Sequence, residues 1–168
     1  VQALEGNPLR RGALTKIKRT CLFFLPFLLG YMYMQHALSI SEPLAVSVGR
    51  SMEPTIHEGD ILVFRGVKPE DVKVGDVILF QVPEEMRELL PPRITHRVTG
   101  IRQEAGETLF RTKGDNAPLD TFEIPAENVI GMNVAVVPFV GSVILFAQSP
   151  WGIAATIMVI VVAQRRGV

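Results

Sequence analysis

The chain opens polar and basic, turns continuously apolar, alternates in short runs through its middle, and closes on a second apolar stretch. From Cys21 to Met34 every residue is apolar, small, Pro26 or a tyrosine. Counting on through Gln35, His36 and Ala37 to Ile40 gives the length a bilayer crossing needs, about 20 residues at about 1.5 Å each. The pattern therefore predicts a transmembrane anchor over 20–40. Pro26 and Gly30 fit that reading, because membrane helices tolerate both better than soluble ones do. A cleavable signal peptide is the competing reading of such a start. The apolar run is long for one, and no small-x-small site follows Leu38, so the uncleaved anchor is preferred.

Between 44 and 137 the period changes to short β-branched runs: 45–48, 61–64, 77–82, 95–101, 108–112 and 129–137. Gly, Pro and Asp punctuate them, which predicts a mainly β domain of hairpins rather than an α/β fold. Gly59-Asp60-Ile61-Leu62-Val63-Phe64 is echoed by Gly75-Asp76-Val77-Ile78-Leu79-Phe80. Two copies are too few for a repeat architecture, so they are expected to be neighbouring buried strands of one sheet. The linker 83–93 carries an apolar tip, Leu89-Leu90-Pro91-Pro92, that either meets lipid or packs back on the sheet.

The second apolar segment, 143–164, holds 13 uninterrupted apolar or small residues from Trp151 to Ala163. Thirteen residues reach only about 20 Å as helix, and Gln148, Ser149 and Pro150 interrupt the extension backward. A helix returning to the cytoplasm is the preferred expectation, with Trp151 and Arg165-Arg166 at the two interfaces. The alternative is an apolar helix that packs or lies in the interface.

Composition changes this picture little. Seventeen basic and seventeen acidic residues cancel in a chain of 168, which points to no nucleic-acid partner. The local imbalance matters more: residues 1–19 hold Arg10, Arg11, Lys16, Lys18 and Arg19 against Glu5 alone. By the positive-inside rule this basic segment stays cytoplasmic and 41–142 is extracytoplasmic. The single Cys21 excludes an internal disulfide, and no cysteine-based metal site or cofactor motif is present.

Three segments carry candidate chemistry. Ser51 lies in Gly49-Arg50-Ser51-Met52-Glu53-Pro54-Thr55, after a β-like run. A serine hydroxyl becomes a nucleophile only with a base and with donors for the developing oxyanion, and a strand-end Ser51 can offer its own amide. Of the histidines, His36 sits near the outer end of the anchor and His57 in a solvated turn. His96 lies on a predicted strand, where a histidine is ordinarily a surface or edge residue. Gly114-Asp115-Asn116 is a turn signature, and Asp115 or Asp120 could reach a histidine and hold its tautomer.

Together these segments resemble type I signal peptidases. Ser-Met-x-Pro at 51–54, the Gly-Asp strand at 75–80, His-Arg-Val at 96–98, Gly-Asp-Asn at 114–116 and Pro-x-x-Gly at 138–141 stand in that family's order. Histidine at 96, where the bacterial branch has lysine, is the mark of the archaeal and endoplasmic-reticulum branch. The resemblance implies Ser51 as nucleophile, His96 as general base and an aspartate from 114–120 in support. It also implies a β-rich catalytic domain on the outer face of the cell membrane or endoplasmic reticulum. Its substrates would be signal-peptide-bearing preproteins cut after small residues, with no cofactor and with the secretion machinery as a possible neighbour. Met52 and the strand at 77–82 are expected to wall the substrate pocket.

Two departures stand out. Many relatives have a hydroxyl residue two before the nucleophile, where this chain has Gly49, so the oxyanion site needs another donor. The paired aspartates are usually six apart, whereas Asp115 and Asp120 are five apart; the choice between them stays open, with Asp120 preferred. A histidine base further predicts activity falling on acidification through the ordinary imidazole range, near about 6.5. Self-cleaving repressor proteases share the Ser-Met start but use lysine and carry a DNA-binding domain. A catalytically silent membrane subunit or binding module with the same fold is the alternative from another class.

Overall fold

The computed structural model describes residues 8–104 and 106–166, with side chains from 18 to 165. Residues 1–7 of the predicted basic segment, and the side chains of Arg10, Arg11, Lys16 and Arg166, lie outside the described part. The chain divides into two units at Ala37 and Leu38.

The first unit is one helix, α1 (Pro8–Ala37), with Pro26 inside it. Its apolar side chains from Leu22 to Leu29 are exposed. The helix ends three residues before the predicted boundary at 40. Ser39 takes a left-handed backbone (φ 52°), and Ile40 is buried in the core of the second unit.

The second unit is built on a seven-stranded, antiparallel sheet. Its strands are β1 (Leu44–Val46), β2 (Ile61–Arg65), β3 (Val77–Gln81), β4 (Arg93–Glu104), β5 (Glu107–Lys113), β6 (Ile124–Pro125) and β7 (Val129–Val137). They lie in the order β1-β2-β7-β3-β4-β5-β6. The two echoed Gly-Asp strands are therefore not neighbours: β7 returns from the end of the domain and inserts between β2 and β3. Nor are they equally buried. β2 alternates, hiding Leu62 and Phe64, whereas Val77 to Phe80 of β3 are all buried.

Alternation along β3 explains that difference, since successive side chains point to opposite faces. Val77 and Leu79 join Ile40, Met52, Ile56, Leu62 and Phe64 in one cluster. Ile78 and Phe80 join Val72, Val82, Val98, Phe110 and Ile124 in the other. The linker tip is shared between fates: Leu90 packs on the second cluster, while Leu89 is exposed.

After β7 come α2 (Val140–Gln148) and α3 (Pro150–Arg166). The predicted segment 143–164 is thus two helices, and it begins inside α2. Ser149 breaks them, its hydroxyl donating to the Phe146 carbonyl and accepting from the Gly152 amide, with Pro150 opening α3. Among the described residues no single helix is long and apolar enough to cross a membrane; α2 and α3 qualify only together, bent by 80°.

The Pro138–Gly141 motif finds its physical meaning here. A side chain at Gly141 would stand 2.7 Å from the Gly59 carbonyl, so only glycine allows this approach. Buried Asp60 locks the same junction, accepting from the Phe139 amide at 3.0 Å and the His57 amide at 2.9 Å.

Candidate active site

His96 follows the inward alternation of β4. Ile94 and Val98, two residues to either side, pack into the second cluster, and His96 lies opposite buried Ile78. The histidine is therefore 7% exposed rather than a surface residue, with its ring 6.4 Å from that of Phe80 in an edge arrangement. A buried imidazole needs partners for its nitrogens. Nδ1 lies 2.8 Å from Asp120 Oδ2, and Nε2 lies 3.2 Å from Ser51 Oγ.

Ser51 does not stand at the strand end. β1 stops at Val46, and Gly49 turns the chain with φ 86° before Ser51 opens a run of turns. The Met52 carbonyl accepts from the Ile56 amide at 2.9 Å. The Met52 side chain is 4% exposed in the first core cluster. Its burial there ties the Ser51 turn to the core of the sheet. Gly49 sets no side chain near the serine, and its amide faces the Glu58 carboxylate at 3.5 Å. Using that amide as an oxyanion donor would require its release from Glu58.

The two aspartates part company. Asp120 follows the return of the chain after β5: Lys113 bridges Leu119, and the Asp120 amide donates to the Thr112 carbonyl at 3.1 Å. That brings its carboxylate to His96. Asp115 instead takes a two-pronged bond from Arg97, at 2.8 and 2.6 Å, while Arg97 also donates to the Gly75 carbonyl. The bond to Arg97 holds the Asp115 carboxyl below its usual range, against the opposing effect of partial burial, and pushes the Arg97 guanidinium upward. A depressed carboxyl contributes stability above the ordinary aspartate value, about 3.9, that is lost on acidification below it.

This clamp fixes the loop that touches the serine. The Asn116 amide donates to the Ser51 carbonyl at 2.7 Å. Gly114 passes so close that a Cβ would lie 2.5 Å from the Ser51 carbonyl and 3.0 Å from His96 Nε2. Replacing Gly114 by alanine is expected to push the two side chains apart and lower turnover by about a hundredfold, since small misplacements at a reacting centre cost that much. Steady-state kinetics with circular dichroism on the variant would check it.

Arg97 and Thr112 take part in this arrangement without any motif that assigns them a role. Arg97 follows the histidine in His-Arg-Val, and Thr112 shares the inward parity of Phe110, a period-2 signal present in the sequence. Among the described residues no three His, Cys, Asp or Glu side chains are placed to hold a metal ion.

The family model "Signal peptidase, peptidase S26" matches residues 17–108, which include Ser51 and His96. The chain belongs to the signal peptidase family, peptidase S26. It is 37% identical over 125 residues to the signal peptidase complex catalytic subunit SEC11 of Leptosphaeria maculans, covering 66% of this chain and 67% of that one. The corresponding protein of Pyrenophora tritici-repentis is 37% identical over 121 residues, covering 65% and 66%. Human SEC11C is 31% identical over 110 residues, covering 60% and 55%. The matches thus span between about half and two thirds of these relatives' lengths, and in this signal peptidase they support the branch marked by histidine at 96.

Proposed function

We infer that this chain is a membrane-bound serine endopeptidase that removes N-terminal signal peptides from exported preproteins. The observation that carries the reading is the continuous series from Ser51 Oγ to His96 Nε2 and from His96 Nδ1 to Asp120 Oδ2. His96 takes the Ser51 proton as the hydroxyl attacks the scissile carbonyl, and then protonates the leaving amine. A water deprotonated by His96 releases the acyl group. Asp120 holds the imidazole tautomer and stabilises the imidazolium. The Ser51 amide supplies one oxyanion donor.

An extended substrate has a place to bind. Residues 93–96 of β4 pair with β3 on one side, whereas pairing with β5 begins only at Arg97. Backbone groups beside His96 thus suit strand addition, which presents a scissile bond to Ser51. The exposed apolar side chains of α1 and the basic residues before them support membrane attachment through this helix, with the sheet unit on the extracytoplasmic side. Anchoring both enzyme and signal peptide in one bilayer raises their effective concentration. The names of the relatives support the endoplasmic-reticulum type of membrane and work within a complex.

The test is processing of a signal-peptide-bearing preprotein in detergent. The wild-type chain is expected to cut after a small residue, located by sequencing the new N-terminus, and Ser51→Ala to leave the preprotein intact. Cleavage by Ser51→Ala would refute the assignment. A folded wild-type chain that binds the preprotein without cutting it would favour a silent binding module.

A further inference from the structure

We propose that Thr112 is a fourth member of the relay, a positioning residue that sets both the orientation and the effective charge of the Asp120 carboxylate. The proposal rests on the Ser51–His96–Asp120 reading above. Thr112 is fully buried on β5, and its hydroxyl donates to Asp120 Oδ2 at 2.6 Å. That same oxygen faces His96 Nδ1 at 2.8 Å. One carboxylate oxygen therefore accepts from both the base and a buried hydroxyl.

The placement follows from the strand period. Phe110 and Thr112 point to the same face of β5, and Thr112 pairs with Val98, two residues beyond His96 on β4. A threonine here buries a hydroxyl in an otherwise apolar layer, and the Asp120 carboxylate satisfies it. Main chain and side chain act together, because the Thr112 carbonyl also accepts from the Asp120 amide.

Two consequences follow. The hydroxyl removes one rotational freedom of the carboxylate, so Oδ2 stays on Nδ1 through the catalytic cycle. It also draws on the carboxylate's negative charge, limiting how strongly Asp120 favours imidazolium over the neutral base. Other charged groups near His96 are Asp115, from the loop after β5, and Arg97 on β4, paired with each other. Substitution at Thr112 touches neither.

The decisive measurement is kcat and KM against pH for preprotein cleavage in detergent by the full chain and by Thr112→Val and Thr112→Ser. Removing the hydroxyl leaves the carboxylate more negative, so imidazolium persists to higher pH. Thr112→Val is expected to lose about tenfold in kcat with KM unchanged, and to move the acid limb up by about half a unit or more. Thr112→Ser, which keeps the donor, is expected to restore both. If Thr112→Val does not fold, Thr112→Ala against Thr112→Ser makes the same comparison, since that pair differs by the hydroxyl alone. A hydroxyl-free variant with an unmoved acid limb overturns the proposal, as does a Ser variant that behaves like Val or Ala. Ser51→Ala in the same assay separates the two levels: activity retained there would sink the parent reading instead.

Discussion

Replacing His96 by alanine is expected to lower preprotein cleavage on the order of ten-thousand-fold or more, to the level left by binding and oxyanion contacts alone. The imidazole is the one group within reach of the Ser51 hydroxyl that can accept its proton, at 3.2 Å among the described residues. Without it the serine keeps an ordinary alcohol's reactivity. The loss should fall on kcat, because the proton transfer that the imidazole performs belongs to the chemical step. His96 is also buried, so the variant leaves the Asp120 carboxylate without its ring partner, though Thr112 still donates to it. Circular dichroism on the same sample separates lost chemistry from lost fold. Cleavage within tenfold of wild type, by a folded variant, would remove His96 from the base role.

The second large effect separates the two aspartates. Asp120→Asn is expected to cost about a thousand- to ten-thousand-fold, because an amide presented to Nδ1 no longer fixes the tautomer or balances imidazolium. Asp115→Asn acts differently. It weakens the bond to Arg97 that anchors the loop touching Ser51, so it should lower the unfolding midpoint and reduce activity moderately. A charge-assisted bond of this kind contributes about 1.5–3 kcal/mol before discounting for its partial exposure. Thermal melts and cleavage rates measured together give the pattern: catalysis falls far more than stability in Asp120→Asn, and stability is hit in Asp115→Asn. The reverse pattern would exchange their roles.

Much of this was legible along the chain. Short β-branched runs located six of the seven strands within a few residues, because alternation and turn residues are local signals; β6 (Ile124–Pro125) is two residues long, one of them proline, and left no such signal. The strand order was not legible. The likeness of 59–64 and 75–80 suggested adjacency, but β7 gains more by lying between them, where it pairs with both. Nor could a strand histidine be told from an edge residue, since its parity with Ile94 and Val98 matters only once that face is known to be covered. The apolar span 20–40 was overextended for the same reason: Ile40 looks like anchor by hydropathy, yet its burial goes to the sheet unit's core.

The sequence by itself determined which chemical groups are present and in what order, from Ser51 through His96 to the turn at 114–116 and the glycine at 141. Tertiary structure decided which of them meet. His96 and Asp120 are 24 residues apart and His96 and Ser51 are 45 apart, separations at which no local period speaks. Their contact depends on the β4–β5 register, on the Lys113–Leu119 bridge and on the Arg97–Asp115 clamp. Register is set by the summed burial of whole strands, so moving Asp120 by one residue in the turn would be invisible in composition and decisive at the imidazole.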